Sequence, residues 1–441
     1  MKLAVLSLFV FTLHAQTDWP SFGHDADNAR FSPLKQINTS NVTRLKLAWT
    51  FDTEVAAPPP ARPAGAETTP AESRRPRVRR SEIVPLVIGN VLYMGTAYNR
   101  VVALEADTGK KIWEYESAHT PALRGIGYWA GTKDLPPQVV FGTGDGFLIS
   151  LNAKTGKLVP SFGNEGIVNL KTGVADDFPT ARLSMSSPPT IYKDLAITGS
   201  STGEMPQRAA SGDVRAWDMH TGKLAWIFHT IPRPGEPNHD AWKDGEWEGR
   251  SGVNSWGIST VDTERGLLYL PIGTPNADFY GGDRKGSNLY GSSLVCLEAA
   301  TGKLKWYFQT THHDNWDYDL TAAPTLITVK RNGASIPAVA QSTKQGYCSF
   351  STASPASRST AWKNARSYRR PCRVRRRRPR SRPRSSRRRF RELSSPRTKS
   401  TTSPRSMPRS AASSTRRTRC SPPSCTRHSV SRATSCSSLA L

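Results

Sequence analysis

The chain has 441 residues, with 61 Lys and Arg against 35 Asp and Glu and a formal net charge of +26. Such an excess ordinarily points to nucleic acid or an acidic surface, but its location matters more than its sum. From Cys348 onward there are 26 basic residues and one acid, Glu392, which leaves 35 basic and 34 acidic residues upstream, a near-neutral body that gives no reason to expect a nucleic-acid partner.

The first element is "MKLAVLSLFVFTLHAQ": Lys2, an apolar run from Leu3 to Leu13, then Ala15. This reads as a signal peptide over residues 1–15, with export to the periplasm. A membrane anchor is the alternative, but the run falls short of the ~20 apolar residues a span needs, and no later segment is long and apolar enough. Five of the six cysteines lie at or beyond Cys348 and only Cys296 lies in the body, so no intrachain disulfide framework is expected. No Cys-x-x-Cys-His occurs, which argues against covalent haem.

Residues 54–80, Pro/Ala-rich and then basic, read as an irregular surface insertion. The body around them repeats itself. "VVALEADTGKKIWEY" (Val101 to Tyr115), "LISLNAKTGKLVPSF" (Leu148 to Phe162), "VRAWDMHTGKLAWIF" (Val214 to Phe228) and "LVCLEAATGKLKWYF" (Leu294 to Phe308) each give a strand, a Thr-Gly-Lys turn and a strand carrying an aromatic. Sequential repeats of this kind, with Trp49, Trp113, Trp226 and Trp306 recurring, predict an all-β protein, a β-propeller over residues 16–347; a sandwich is the alternative.

After Tyr347 the pattern is expected to stop, leaving a disordered Arg/Ser/Pro-rich tail over residues 348–441. It is either a genuine basic arm or a coding region read out of frame. Each amino acid fixes most of its codon, so the second reading can be examined directly. Starting in Cys348, the last base of one codon joined to the first two of the next lets "CSFSTASPASRS" read L-V-L-D-R-V-T-G-E-P-V. That is the body's own strand, Thr-Gly turn and strand, and it favours a frameshift near Cys348.

Several motifs could carry chemistry. "TGSSTGEM" places Ser200, Ser201 and Glu204 at a strand end, suited to oxygen ligation of a hard cation, although an exposed Glu in a turn is the ordinary reading. "NSWG" sets Trp256 beside Gly257, either a flat indole platform or a buried propeller Trp. "LRGIG" offers Arg124 for carboxylate recognition, or a surface Arg, and Glu82 precedes a strand where a solvated carboxylate would be unremarkable. "HHDNWDYDL" (His312 to Leu320) crowds two histidines and three aspartates into nine residues.

Together with "DWPSFGHDADNARFSPLKQINTSNV", the Thr-Gly-Lys repeats and "DFYGGDR", these motifs make residues 18–347 resemble the quinoprotein dehydrogenases that use pyrroloquinoline quinone, the glucose and alcohol dehydrogenase family. The resemblance implies an eight-bladed propeller, incomplete in this chain, with the quinone and Ca2+ or a lanthanide near its axis. It implies Glu204 as a metal ligand, Trp256 as the floor under the quinone, and Glu82, Arg124, Ser186 and Ser201 around its polar edge. Asp317 matches the catalytic aspartate and is counted with the metal, Lys344 the cation that bonds the quinone oxygens, and Asp319 an additional ligand of lanthanide-using members. Thr274 stands where alcohol-oxidising members carry a metal-ligating Asn, so Asn276 or another group would substitute. His312, His313 and Asp314 are expected to be loop and packing residues.

The resemblance further implies oxidation of a sugar or alcohol hydroxyl. Asp317 takes the proton, hydride passes to the quinone, and electrons go on to a quinone or cytochrome c acceptor. The alternatives are an inactive truncated product and a non-catalytic propeller of the same build.

Overall fold

A computed structural model describes residues 18–54 and 81–352; the expected signal peptide, nearly all of the insertion and the tail beyond residue 352 lie outside the described residues. Among the described residues nineteen strands form five antiparallel sheets in chain order. The first holds β1 (Leu86–Ile88), β2 (Val91–Gly95), β3 (Arg100–Glu105) and β4 (Lys111–Glu116); the second β5 (Gly127–Trp129), β6 (Gln138–Gly142), β7 (Phe147–Asn152) and β8 (Ile167–Asn169). The third holds β9 (Thr190–Tyr192), β10 (Leu195–Thr198), β11 (Val214–Asp218) and β12 (Leu224–Phe228); the fourth β13 (Thr260–Asp262), β14 (Leu267–Pro271), β15 (Ser293–Glu298) and β16 (Leu304–Gln309). The fifth has three described strands, β17 (Thr325–Arg331), β18 (Ala334–Ser342) and β19 (Cys348–Thr352).

Each sheet runs in sequential order, and the first strands β5, β9, β13 and β17 neighbour one another, so the sheets are blades around a common axis. Middle strands such as β6 and β14 are buried along their whole length because both faces are covered by adjacent blades. The apolar side chains collect between blades. Val101, Trp113, Phe141 and Ile149 pack between the first two blades, Leu148, Phe162, Ala196 and Trp217 between the next two, and Val214, Trp226, Leu268 and Val295 between the third and fourth.

The repeated Thr-Gly-Lys turn explains how blades lock. Gly109, Gly156, Gly222 and Gly302 all have φ between +67° and +71°, a region that glycine enters without cost. At three of them a Cβ would strike a tryptophan of the preceding unit, within 2.5–2.6 Å: Trp49 over Gly109, Trp113 over Gly156 and Trp226 over Gly302. The same indoles donate Nε1–H to the carbonyls of Ala106, Ala153 and Ala299 at 3.2, 2.8 and 3.2 Å. In the second blade Pro160 stands at the Trp position, and Gly163 instead approaches Gly222 backbone to backbone, its N–H donating to Thr221 O at 2.9 Å.

The two ends of the described array differ from its middle. Trp306, at the same place in β16, has a buried Nε1 with no hydrogen-bond partner among the described residues. At the other end Trp49 is docked on the first blade in the manner of an outermost-strand tryptophan, while Leu45 and Leu47 beside it are 59% and 81% exposed. Trp113→Phe is therefore expected to cost about 1–3 kcal/mol, since it strips the Ala153 carbonyl of its buried donor. Trp306→Phe should cost about 1 kcal/mol or less, there being no such bond to lose. Urea denaturation of the two variants checks the difference.

One expected boundary moves. The tail does not begin at Cys348: residues 348–352 form β19, paired with β18 from Ala338↔Thr352 to Ser342↔Cys348. Backbone pairing needs no particular side chains, and Cys, Phe, Ser and Thr are all compatible with a strand. The price shows at Phe350, which is 54% exposed.

Candidate active site

The chemistry-bearing loops meet at one end of the blades. Ser201 and Glu204 follow β10, Asn254 and Trp256 precede β13, Thr274, Asn276 and Asp278 follow β14, Asp317 and Asp319 precede β17, and Lys344 sits in the β18–β19 turn. All of them line one open cleft of about 640 Å³, with Arg182 and Gly203 completing the wall. The close approach of neighbouring loops is set by glycines. A Cβ on Gly199 would lie 1.9 Å from Ser255 O, and one on Gly273 would lie 2.7 Å from Asp319 Oδ1.

Asp319 is the hub. Its Oδ1 accepts the Thr274 N–H at 2.5 Å and the Thr274 hydroxyl at 3.1 Å; its Oδ2 accepts the Trp256 indole N–H at 3.0 Å and lies 3.5 Å from Lys344 Nζ. Thr274, which by resemblance stands at a metal-ligating position, thus has its hydroxyl on Asp319. Trp256 is also fixed from behind, its carbonyl accepting from Ser186 Oγ at 3.0 Å and Ser187 Oγ at 2.7 Å. Its ring has the Arg124 guanidinium 5.2 Å from the centroid.

Arg124 Nε pairs with Glu82 at 3.0 Å and its backbone N–H donates to Ser186 O at 3.1 Å, so Glu82, Arg124, Ser186 and Trp256 form one connected rim although the first three do not line the cleft itself. Its Nη1 is buried without a partner among the described residues.

Asp317 sits at φ +56°, a left-handed conformation that costs a non-glycine residue energy, and its Oδ1 is 2.8 Å from Lys344 Nζ. Burial, chiefly, and the neighbouring Asp319 push its carboxyl above the usual carboxylate range against the hydrogen bond from Lys344. For Lys344 burial opposes the charge, yet the bond to Asp317 and the charges of both aspartates raise it above ordinary lysine. The histidines take no part in the cleft. His313 Nδ1 lies 2.9 Å from Gly286 O, and buried Asp314 accepts from Ser292 Oγ, Trp316 N and Tyr318 N, bracing the loop that presents Asp317 and Asp319.

Sequence reasoning missed three cleft residues, Arg182, Asn254 and Asp278. Asp278 is 7% exposed, and its carboxyl is pushed up to about 7 by burial first and then by Asp319, Asp317 and Glu204, against a hydrogen bond from Thr274.

The side chains present fit a quinone and a hard cation. The unpartnered Arg124 Nη1 is poised for a carboxylate, Trp256 offers a flat, anchored face, and the donors across the cleft are all oxygen. Among the described residues no three His, Cys, Asp or Glu side chains are grouped, as they stand, so as to hold a metal ion. Ligation would therefore draw carboxylates off Lys344 and Thr274. No helix among the described residues is long and apolar enough to cross a membrane.

Comparison with known proteins agrees with this geometry. Residues 19–350 match the family described as "PQQ: Glucose/ethanol/alcohol dehydrogenase, beta-propeller domain". The chain is 36% identical to a quinoprotein glucose dehydrogenase of Escherichia coli and 34% identical to a quinate/shikimate dehydrogenase (quinone) of Acinetobacter baylyi, each alignment covering 75% of this chain and 42% of the relative. The chain thus spans less than half the length of these relatives. Among solved structures, a quinohemoprotein alcohol dehydrogenase from Comamonas testosteroni superposes with a TM-score of 0.62 at 28% identity, covering 77% of this chain and 48% of that one. A europium-containing methanol dehydrogenase gives 0.59 at 26% identity, covering 76% and 56%. The blades, the cleft they carry and these likenesses agree, and the chain belongs to the quinoprotein glucose/ethanol/alcohol dehydrogenase family of β-propellers.

Proposed function

We propose that this chain carries the cofactor-binding part of an exported dehydrogenase that oxidises a sugar or alcohol hydroxyl, with pyrroloquinoline quinone and Ca2+ or a lanthanide bound in the cleft. The observation that supports this best is the meeting of Trp256, Asp317, Asp319 and Lys344 in one hydrogen-bonded set beside the Arg124–Glu82 rim. Bound quinone supplies an electrophilic carbonyl that takes up a hydride. Around it, Asp317 accepts the substrate hydroxyl proton, a role suited to a carboxylate with a raised proton affinity. Lys344 holds that carboxylate and brings positive charge to the cleft wall. Trp256 would lie against the flat face of the cofactor, and Arg124 would pair with one of its carboxylates. Glu204, Asn276, Asp317 and Asp319 would hold the cation, Thr274 orienting Asp319 from behind. Electrons would leave to a quinone or a cytochrome c.

The test uses this chain and the product of a gene with the frame restored at Cys348. Each is exported, loaded with pyrroloquinoline quinone and Ca2+ or La3+, and assayed for dye reduction with glucose, ethanol, glycerol and quinate. Folded frame-restored protein that binds no quinone would sink the enzyme reading. Recovery from the periplasm with a new N-terminus at Gln16 checks export.

A second reading, that this chain as it stands folds without acting, is favoured by the Trp306 indole nitrogen, which is buried with no hydrogen-bond partner among the described residues. It predicts cofactor binding and dye reduction in the frame-restored product and neither in the present chain.

A further inference from the structure

We propose that Arg182 is a second carboxylate-binding group of this site, standing where the cleft meets an adjoining cavity and taking a carboxylate other than the one held at Arg124. The inference rests on the dehydrogenase reading given above and adds a residue to it. The quinone and an acidic substrate both bring carboxylates, and the two arms of the test separate them. Arg182 lines the cleft and also a neighbouring cavity of about 360 Å³, and it is the one described residue common to both linings. Ser186 lines that second cavity together with Ile83 and Leu123, the chain neighbours of Glu82 and Arg124. The cavity is thus bounded by the Glu82–Arg124 rim and by Arg182. Its position is built into the backbone: Leu183 is 2% exposed, and Ser184 exchanges both backbone bonds with Ser201, at 3.0 and 2.7 Å. A Cβ on Gly203 would lie 3.7 Å from Arg182 Cδ, so the stem runs along the loop that carries Ser201 and Glu204.

What sets Arg182 apart is that its guanidinium makes no hydrogen bond or ion pair among the described residues. The arginines of neighbouring loops are spent within the protein. Arg250 pairs with Asp283 at 2.9 Å and Glu246 at 3.2 Å, and Arg284 donates to Asn288 Oδ1 at 2.8 Å and to the Asp314 carbonyl. Nor is Arg182 used to balance the cleft. Glu204, Asp278, Asp317 and Asp319 line it against Lys344 and Arg182, and Lys344 is the cation engaged, with Asp317 at 2.8 Å and Asp319 at 3.5 Å. Two negative charges are left uncancelled, and the cation proposed above neutralises them, so the cleft does not repel an anion that reaches Arg182. A planar guanidinium with every N–H donor free matches a carboxylate in a two-bond fork, which a neutral hydroxyl cannot reproduce.

In one arm of the test, pyrroloquinoline quinone is titrated with Ca2+ into the full chain and into its frame-restored product, read by quenching of tryptophan fluorescence. In the other, glucuronate is compared with glucose and glycerate with glycerol as substrates of the loaded, frame-restored product. Arg182→Leu is expected to lower either quinone affinity or the preference for acid over neutral substrate by about 10-fold, the latter through KM, the size of a charge-assisted bond open to solvent. The first result places a carboxylate of the cofactor at Arg182, the second a carboxylate of the substrate. Arg182→Lys, which keeps the charge and loses the fork, should recover only part of the effect. Lys133→Leu, at an exposed lysine outside both cavities, controls for the loss of one positive charge and should change neither readout. Far-UV circular dichroism and the thermal midpoint of the quinone-free variants monitor folding, and neither should move, because the Arg182 side chain is exposed. Wild-type quinone affinity together with a wild-type acid-over-neutral ratio in folded Arg182→Leu would overturn the role of Arg182 alone. Folded protein of both kinds that binds no quinone would overturn the cofactor reading and this inference together.

Discussion

Asp317→Asn is expected to lower kcat of the quinone- and cation-loaded, frame-restored dehydrogenase by about 10²–10⁴-fold, the range a positioned general base contributes. Quinone affinity should change far less, because the indole floor is held by Ser186, Ser187 and Asp319 and the rim by Glu82, none of which the substitution touches. The pH profile gives a second readout. A base works only when ionised; in the cation-free cleft burial with Asp319 beside it raises the proton affinity of Asp317, and a bound cation opposes that shift, so the acid limb of the loaded enzyme should lie below the Asp317 midpoint of the cation-free chain. Lys344 acts in the same direction as the cation. Lys344→Met removes positive charge that favours ionisation and should move this acid limb to higher pH. A limb that moved down in Lys344→Met, or a kcat within threefold of wild type in Asp317→Asn, would remove Asp317 from the role of base.

The blades were legible because their signal is local and repeated. Alternation in "VVALE" or "LVCLE" dictates a strand with one face inward, and the Thr-Gly-Lys turn dictates where it reverses, so four of the five sheets follow from short windows of sequence. The fifth was half visible: β17 and β18 lack that turn, and β19 begins where the apolar pattern ends, held by backbone bonds to which sequence periodicity is blind. Of the site, Glu204, Trp256, Asp317 and Lys344 were reached through resemblance, since a carboxylate in a turn has no periodicity of its own. Asp278 escaped because "NADFYGGD" reads as an ordinary polar loop. What makes it a cleft residue is that it lines one cavity with residues 319, 317 and 204, up to 74 positions away. The role of Thr274 was equally hidden, because its binding to Asp319 appears only when the loops after β14 and before β17 are brought together.

Gly199→Ala is expected to be among the most damaging single-methyl changes in the chain. The space a side chain would need at Gly199 is taken by protein. Its Cβ would fall 1.9 Å from the carbonyl oxygen of Ser255 and 3.0 Å from the Ser255 Cβ. Neither is the far end of a flexible side chain, so the backbone of one loop must shift, and a cost of about 3 kcal/mol is expected, at the upper end for overpacking. The shift falls next to Trp256, so the indole that Asp319 and Ser187 hold should be displaced as well. A displacement on the order of 1 Å in such a platform is worth about 100-fold in rate. Gly89 is the control. It has φ +55° with nothing within 4 Å of the place a Cβ would take, so Gly89→Ala carries only the strain of a left-handed residue, about 1 kcal/mol, and no effect on the cleft. Urea denaturation and quinone titration of both variants separate the two effects. Equal losses at Gly199 and Gly89, or normal quinone affinity in a destabilised Gly199→Ala, would mean that the contact between the β10 exit and the Ser255 loop does not set the position of the floor.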